Sequence, residues 1–201
     1  MHIKFSQDIE SLLNRLSEHP LTIGEIMGET AEHGFSLSIG LLVLPFLFPM
    51  PPGLSTPLGL ACFFLAIQMT LGLHSPWLPK KVTRFVFPSA FSLYLLQNLK
   101  RVTAWLEKIV RPRMLKIAKN PYIWRVNGFC IAWMAFFLML PIPLTNSIPA
   151  IGILFLAVAT LESDGLLMCL GYASTVFNTL FFGFLGYAFW LAPNLLPNIF
   201  K

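Results

Sequence analysis

Two short stretches hold the residues best placed for chemistry in this chain. "PMPPGLSTP" carries Pro49, Pro51, Gly53, Ser55 and Pro57, and "PIPLTNSIP" carries Pro141, Pro143, Thr145, Asn146, Ser147 and Pro149. A constant shift of 92 positions lays Pro49 on Pro141, Pro51 on Pro143, Ser55 on Ser147 and Pro57 on Pro149. The shared pattern is P-x-P-x-x-x-S-x-P, and apolar runs flank it on both sides in both copies. Proline has no N–H and fixes φ, so it ends or kinks a helix. It also pushes the preceding residue out of the helical region. Each stretch therefore frees backbone carbonyls and N–H groups, and in hydrocarbon these must be buried in protein or line a wet cavity.

The polar side chains at the breaks have two uses. Ser55, Thr145, Asn146 and Ser147 can hydrogen-bond the freed backbone groups, or they can coordinate a solute. Helix ends at such breaks attract anions through N–H groups and cations through carbonyls. Paired interrupted segments are also the sequence pattern of a transporter-like binding site. A proline-rich link is equally the turn of a helical hairpin at a membrane surface, and both readings stand at this level. Glu162 and Asp164 close the second copy, and Gln68 and Thr70 are the polar residues near the matching place in the first. Carboxylates at membrane depth mark ion or proton sites, whereas at an interface they end helices. The full candidate set for binding is thus Pro49, Pro51, Gly53, Ser55, Pro57, Gln68, Pro141, Pro143, Thr145, Asn146, Ser147, Pro149, Glu162 and Asp164.

Other reactive residues point to less. Glu25, Glu29 and Glu32 fall three or four apart on one helical face beside His33. Such a face relays protons or binds a cation, or it is solvated and paired with basic side chains. Cys62, Cys130 and Cys169 lie in apolar runs without metal-ligand spacing and read as small hydrophobes. No P-loop, dinucleotide fingerprint, HExxH or G-x-S-x-G motif occurs. No catalytic residue, metal or cofactor is expected; the non-enzyme reading is preferred, and a membrane enzyme acting on a lipid-linked intermediate is the least favoured alternative.

The elements that must position these residues follow from composition. Of 201 residues, 56% are hydrophobic and 11% charged, against about 25% charged in a soluble domain. Mean hydropathy is +0.70. So few charges cannot clothe a soluble surface, and the expected fold class is an all-α membrane protein in a single membrane domain, 1–201. It has two repeated helical hairpins with Pro-rich breaks, amphipathic interfacial helices and a C-terminal transmembrane helix.

Residues 1–34 read as amphipathic helices. They lack the basic and apolar regions of a secretory signal, so insertion is expected to use later segments. Thr22 and Glu25 form a capping-box pair, and Gly34 can close the second helix. Repeat 1 is 35–73, with the apolar run 35–48 before its break. Repeat 2 is 127–164. At about 1.5 Å per residue, 14 residues rise roughly 21 Å, short of a hydrocarbon core of about 30 Å. Residues 165–192 form a continuous apolar helix of spanning length, and Gly171, Gly183 and Gly186 allow close packing.

Residues 80–125 differ from the rest. Eleven of the 14 Lys and Arg lie there, and Glu107 is its one acid. Amphipathic helices at the membrane surface fit this pattern, with 85–99 either interfacial or dipping into the bilayer. The positive-inside rule places this segment in the cytoplasm. A hairpin returns the chain to its side of origin, so the N-terminus belongs there too. The basic segment can meet anionic lipid headgroups or the acids of the N-terminal segment.

The chain resembles the ExoD family of bacterial membrane proteins, linked to exopolysaccharide synthesis. The resemblance rests on "LTIGEIMGETAEHG", "LPFLFPMPPGLSTPLGL" with "AIQM" downstream, "SPWLP", "RPR" at Arg111–Arg113, and "LPIPLTNSIPAIGILFLAVATLESDG". Together these cover most of 21–165. The resemblance implies a multi-pass protein of the bacterial inner membrane and supplies no catalytic mechanism. The expected function is a small transporter- or channel-like protein for a solute or ion, associated with exopolysaccharide synthesis. The alternative is a non-enzymatic accessory or scaffold protein of that machinery. Expected partners are membrane lipids with anionic headgroups, a small solute or ion, and a second copy of the chain. Nucleic acid is not among them.

Overall fold

The computed structural model describes residues 22, 34–47, 55–73, 76–84, 108, 110–111, 121–140 and 145–199, with side chains described to 191. The N-terminal helices expected in 1–34, most of the basic segment, and Pro49, Pro51, Gly53, Pro141 and Pro143 lie outside the described residues. The described elements are helices: α1, Gly34–Val43, continued by a 3-10 turn at Leu44–Leu47; α2, Ser55–Leu71; α3, Pro121–Leu138; α4, Ser147–Glu162; and α5, Gly165–Ile199. A single helical turn, Lys80–Thr83, lies between α2 and α3.

Sequence chemistry sets where these helices begin and end. The first apolar run was expected to reach residue 48, but the α-helix gives way to 3-10 geometry at Leu44. Pro45 removes one backbone donor at that point, and the chain tightens around it. Helices α2 and α4 begin at Ser55 and Ser147, which are 92 residues apart. Each carries its proline, Pro57 and Pro149, in the first turn, where a missing N–H leaves no intrahelical bond unmade.

The C-terminal ends also share a device. Gly72 takes φ +82°, with Gly72 N–H donating to Met69 C=O at 3.1 Å and Leu73 N–H to Gln68 C=O at 3.0 Å. That is a Schellman closure. At the end of α4, Ser163 takes φ 56° and the Asp164 N–H donates to Ala159 C=O at 3.0 Å. Here a β-carbon stands where glycine is usual.

Packing centres on α1 and α4. Every residue from Phe35 to Val43 is buried, polar Ser36 and Ser38 included. Helix α4 packs against α1, α3 and α5, and α2 packs against α1 and most extensively against α3. Small residues allow these approaches. A β-carbon added at Gly128 would lie 2.7 Å from the Thr70 backbone N, so α2 and α3 meet backbone to backbone. One at Gly152 would lie 2.6 Å from Met134 Sδ. Gly171 of α5 is likewise pressed against Leu156, whereas Gly183 and Gly186 have nothing within 4 Å. Of the three glycines expected to support close packing in α5, only Gly171 does so among the described residues.

Helix α5 differs from its neighbours in exposure. Its inner stripe includes Leu167, Met168, Gly171, Asn178 and Phe182. Its outer face presents Val176, Phe177, Leu180, Phe184 and Trp190, the last two 73% and 71% exposed. Residues Gly165–Leu191 are long and apolar enough to cross a membrane; 27 residues rise about 40 Å, beyond a core of about 30 Å. Helices α1 to α4 are apolar but shorter. An apolar face of this size is unstable against water, and hydrocarbon surroundings remove that cost.

Candidate functional site

The polar residues singled out in the sequence fall into two groups at opposite ends of their helices. Ser55 and Pro57 start α2 while Gln68 ends it, a rise of about 20 Å. Ser147 and Pro149 start α4 while Glu162 ends it, a rise of about 22 Å. They therefore do not line one site.

At the helix starts, the flanks of the two breaks meet. Ser147 Oγ donates to the Phe46 carbonyl at 3.0 Å, across 101 residues of sequence. Phe46 is the third residue of the 3-10 turn, and Pro49, three residues on, has no N–H to donate to its carbonyl. The serine hydroxyl takes that place. Next to it, Asn146 holds the N-cap position of α4 without a side-chain capping bond. Its Oδ1 is buried and has no hydrogen-bond partner among the described residues. Thr145, Ser55 and Pro57 are half-buried, and Pro149 is buried.

At the helix ends, Gln68 acts as a clamp. Its Oε1 accepts the Trp77 N–H at 2.8 Å. Its Nε2 donates to the Trp77 carbonyl and, at 3.2 Å, to the Phe64 carbonyl. The carboxamide thus mimics a neighbouring strand and pins the "SPWLP" segment to α2, leaving the Trp77 ring exposed. Asp164 is buried and caps α5. Its Oδ1 accepts the Leu166 and Leu167 N–H groups at 3.0 and 3.3 Å, satisfying two of the donors a helix start leaves open. Its Oδ2 accepts the Arg111 backbone N–H at 2.9 Å. Glu162 is half-buried at the C-terminal end of α4.

The structure adds a polar network that spacing did not reveal. Asn127 of α3 is fully buried. Its Nδ2 donates to Thr160 Oγ1 of α4 at 2.8 Å, and its Oδ1 accepts the Tyr172 hydroxyl of α5 at 2.6 Å. The Thr160 hydroxyl passes its own proton to the Leu156 carbonyl at 2.6 Å. Further along α5, Asn178 is buried and donates to the Ser174 carbonyl at 2.7 Å, while its Oδ1 has no partner among the described residues. Thr175 Oγ1 lies 3.6 Å from Met134 Sδ. The available sequence signal was the presence of Asn127 and Asn178 inside apolar helices. Nothing in their spacing showed that Asn127 would face Tyr172.

Among the described residues no cluster of His, Cys, Asp and Glu can hold a metal ion. The three cysteines, all read as buried, differ: Cys62 is buried, Cys130 half-buried and Cys169 exposed.

The profile described as "Exopolysaccharide synthesis, ExoD" matches residues 5–184. The chain belongs to the ExoD family. Protein ExoD of Rhizobium meliloti (strain 1021) is 33% identical over 199 residues, covering 97% of this chain and 82% of that protein. An uncharacterised protein of Synechocystis is 29% identical over 179 residues, covering 86% of this chain and 82% of its own length. No solved structure matches. For this ExoD-family chain, the match includes both proline-rich stretches, the Asn127–Thr160–Tyr172 network and most of α5.

Proposed function

We propose that this ExoD-family protein is a multi-pass protein of the bacterial inner membrane that supports exopolysaccharide synthesis by handling a small solute or ion near the flanks of its two breaks, Phe46 and Ser147. The observation that carries the reading is the Ser147–Phe46 hydrogen bond beside the buried Asn146 Oδ1, which has no partner among the described residues. An orphaned buried acceptor costs about 1–3 kcal/mol, and a cation or a donor group on a solute removes that cost. The common shift of 92 residues between Ser55 and Ser147, both helix starts, supports two related halves around this place. The length and apolarity of Gly165–Leu191, with the apolar α1 to α4, support membrane residence. The charge bias of 80–125 supports a cytoplasmic position for that segment.

A second reading is a non-enzymatic accessory or scaffold protein of the exopolysaccharide machinery. Gln68, Ser147 and Asp164 support it, because each is spent on backbone hydrogen bonds.

Reconstitution separates the two. The purified chain is placed in liposomes, and collapse of a pH gradient and release of entrapped ions and sugars are followed. Flux that falls when Asn146→Ala is introduced fits the transport reading. Absence of flux, with exopolysaccharide output still dependent on the protein in cells, fits the accessory reading and overturns the first.

A further inference from the structure

A groove of about 360 Å³ runs between α2 and α3 on the outer face of the bundle. Its walls are Phe63, Ile67 and Leu71 from α2 and Phe129, Trp133 and Phe136 from α3. Ligand pockets span about 300–1,000 Å³, so this groove is at the small end and suits a single hydrocarbon chain. No charged residue lines the groove itself, but a cation lies close to one end. Arg125 lies one turn before Phe129 on the same face of α3 and is exposed. Its guanidinium reaches the end of α2: a β-carbon built at Gly72 would sit 3.1 Å from Arg125 Nη2. Gly72 directly follows Leu71, a groove wall. One cation therefore stands at the mouth of an aromatic slot. Among the described residues no carboxylate is paired with it.

The same end of the bundle carries interface chemistry. Tyr122 and Trp77 are exposed there, 74% and 67%, and Gln68 fixes the Trp77 backbone against α2. Aromatic rings with a polar edge belong at the headgroup level. A chain entering the groove from that level runs past Arg125 before reaching Phe129 and Trp133. An amphiphile with an anionic head and a long hydrocarbon tail satisfies both ends at once.

We propose that the α2–α3 groove is a specific binding site for an anionic phospholipid of the surrounding bilayer, with one acyl chain between Phe63 and Trp133 and the phosphate on Arg125. This rests on the membrane reading and is independent of either account of the breaks. Arg125 sets headgroup preference, and the aromatic walls set chain occupancy. The site gives the protein a fixed lipid at its α2–α3 seam rather than a diffuse charged belt.

The test uses the full chain in nanodiscs containing equal phosphatidylglycerol and phosphatidylcholine, each carrying a diazirine on its acyl chain. Cross-linked residues are mapped by mass spectrometry. The expected result is labelling by phosphatidylglycerol concentrated on Phe63, Phe129, Trp133 and Phe136, about fivefold above phosphatidylcholine, the preference one basic residue supplies at a membrane surface. Arg125→Gln brings the two lipids to parity at these residues, Arg125→Lys keeps the preference, and Ala132→Phe, which fills the groove, removes the labelling from both. Equal labelling of groove residues by the two lipids in the wild type overturns the proposal. So does labelling spread evenly over Phe177, Phe184 and Phe189 of α5, or an undiminished preference in Arg125→Gln. Folding of each variant is checked by its helical circular dichroism, and the wild-type comparison of the two lipids keeps the headgroup arm decisive if Arg125→Gln unfolds.

Discussion

Asp164 holds the Arg111 backbone with one carboxylate oxygen, at 2.9 Å, while the other oxygen caps α5. One side chain thus joins the 110–111 segment to the start of the long apolar helix, 53 residues away in sequence. The α4–α5 junction contains only Ser163 and Asp164, so neither task can pass to a neighbour. Asp164→Ala removes the cap, worth about 1 kcal/mol, and also removes the part-buried, charge-assisted hydrogen bond from the Arg111 N–H, about 1.5–3 kcal/mol more. Chemical unfolding in detergent should show a loss of about 2–4 kcal/mol. Asp164→Asn, which keeps a capping oxygen, should lose less than half of that.

The residue just before Asp164 offers a gain in stability. Ser163 sits at φ 56°, a conformation that costs an L-residue roughly 1–2 kcal/mol. Glycine removes that strain but adds backbone entropy to the unfolded chain. Ser163→Gly should therefore raise the unfolding free energy by about 0.5–1 kcal/mol. An unchanged or lower midpoint in the same titration would count against strain at this turn.

Glycines in the helices should divide sharply by contact. Gly128→Ala drives a methyl to within 2.7 Å of Thr70 N. Two of the three nearest atoms, Thr70 N and Ala66 O, are backbone and the third is Thr70 Oγ1, so the helices must separate, at about 1–3 kcal/mol. Gly183→Ala meets nothing within 4 Å and should stabilise α5 by up to about 1 kcal/mol through helix propensity. Paired thermal melts of the two variants check the contrast, and similar shifts for both would remove the backbone contact as the cause.

The Asn127 network should respond to removal of a single oxygen. Tyr172→Phe leaves Asn127 Oδ1 buried and without its partner, at a cost of about 1–3 kcal/mol. Adding Asn127→Leu to Tyr172→Phe replaces both polar partners with apolar groups and should recover part of the loss. A double-mutant cycle measured by unfolding gives the coupling directly; strict additivity would show that the two side chains do not interact.

Much of the fold was legible because it follows from local rules. The continuous apolar run after Gly165 fixes a long helix, and Pro57 and Pro149, read as helix breakers, fall in the first turns of α2 and α4. Each depends on φ, on a missing N–H or on hydropathy, all of which one segment carries by itself. The extent of the first helix was less legible. Pro45 sits within an apolar run, and the sequence does not show whether a proline there is absorbed by 3-10 geometry or by a kink.

The candidate site was legible in residue type and not in partnership. The sequence by itself determined that Gln68, Ser147 and Asp164 would need hydrogen-bond partners in apolar surroundings, because buried polar groups without them are costly. Only the tertiary structure decided that the partners are the backbones of Trp77, Phe46 and Arg111, since each pairing depends on which helix ends come together. It also decided that Asn127 faces Thr160 and Tyr172, and that Gly128, rather than Gly183, is where two backbones touch. Helix periodicity sets which residues share a face; the rotation and crossing of packed helices set what that face meets.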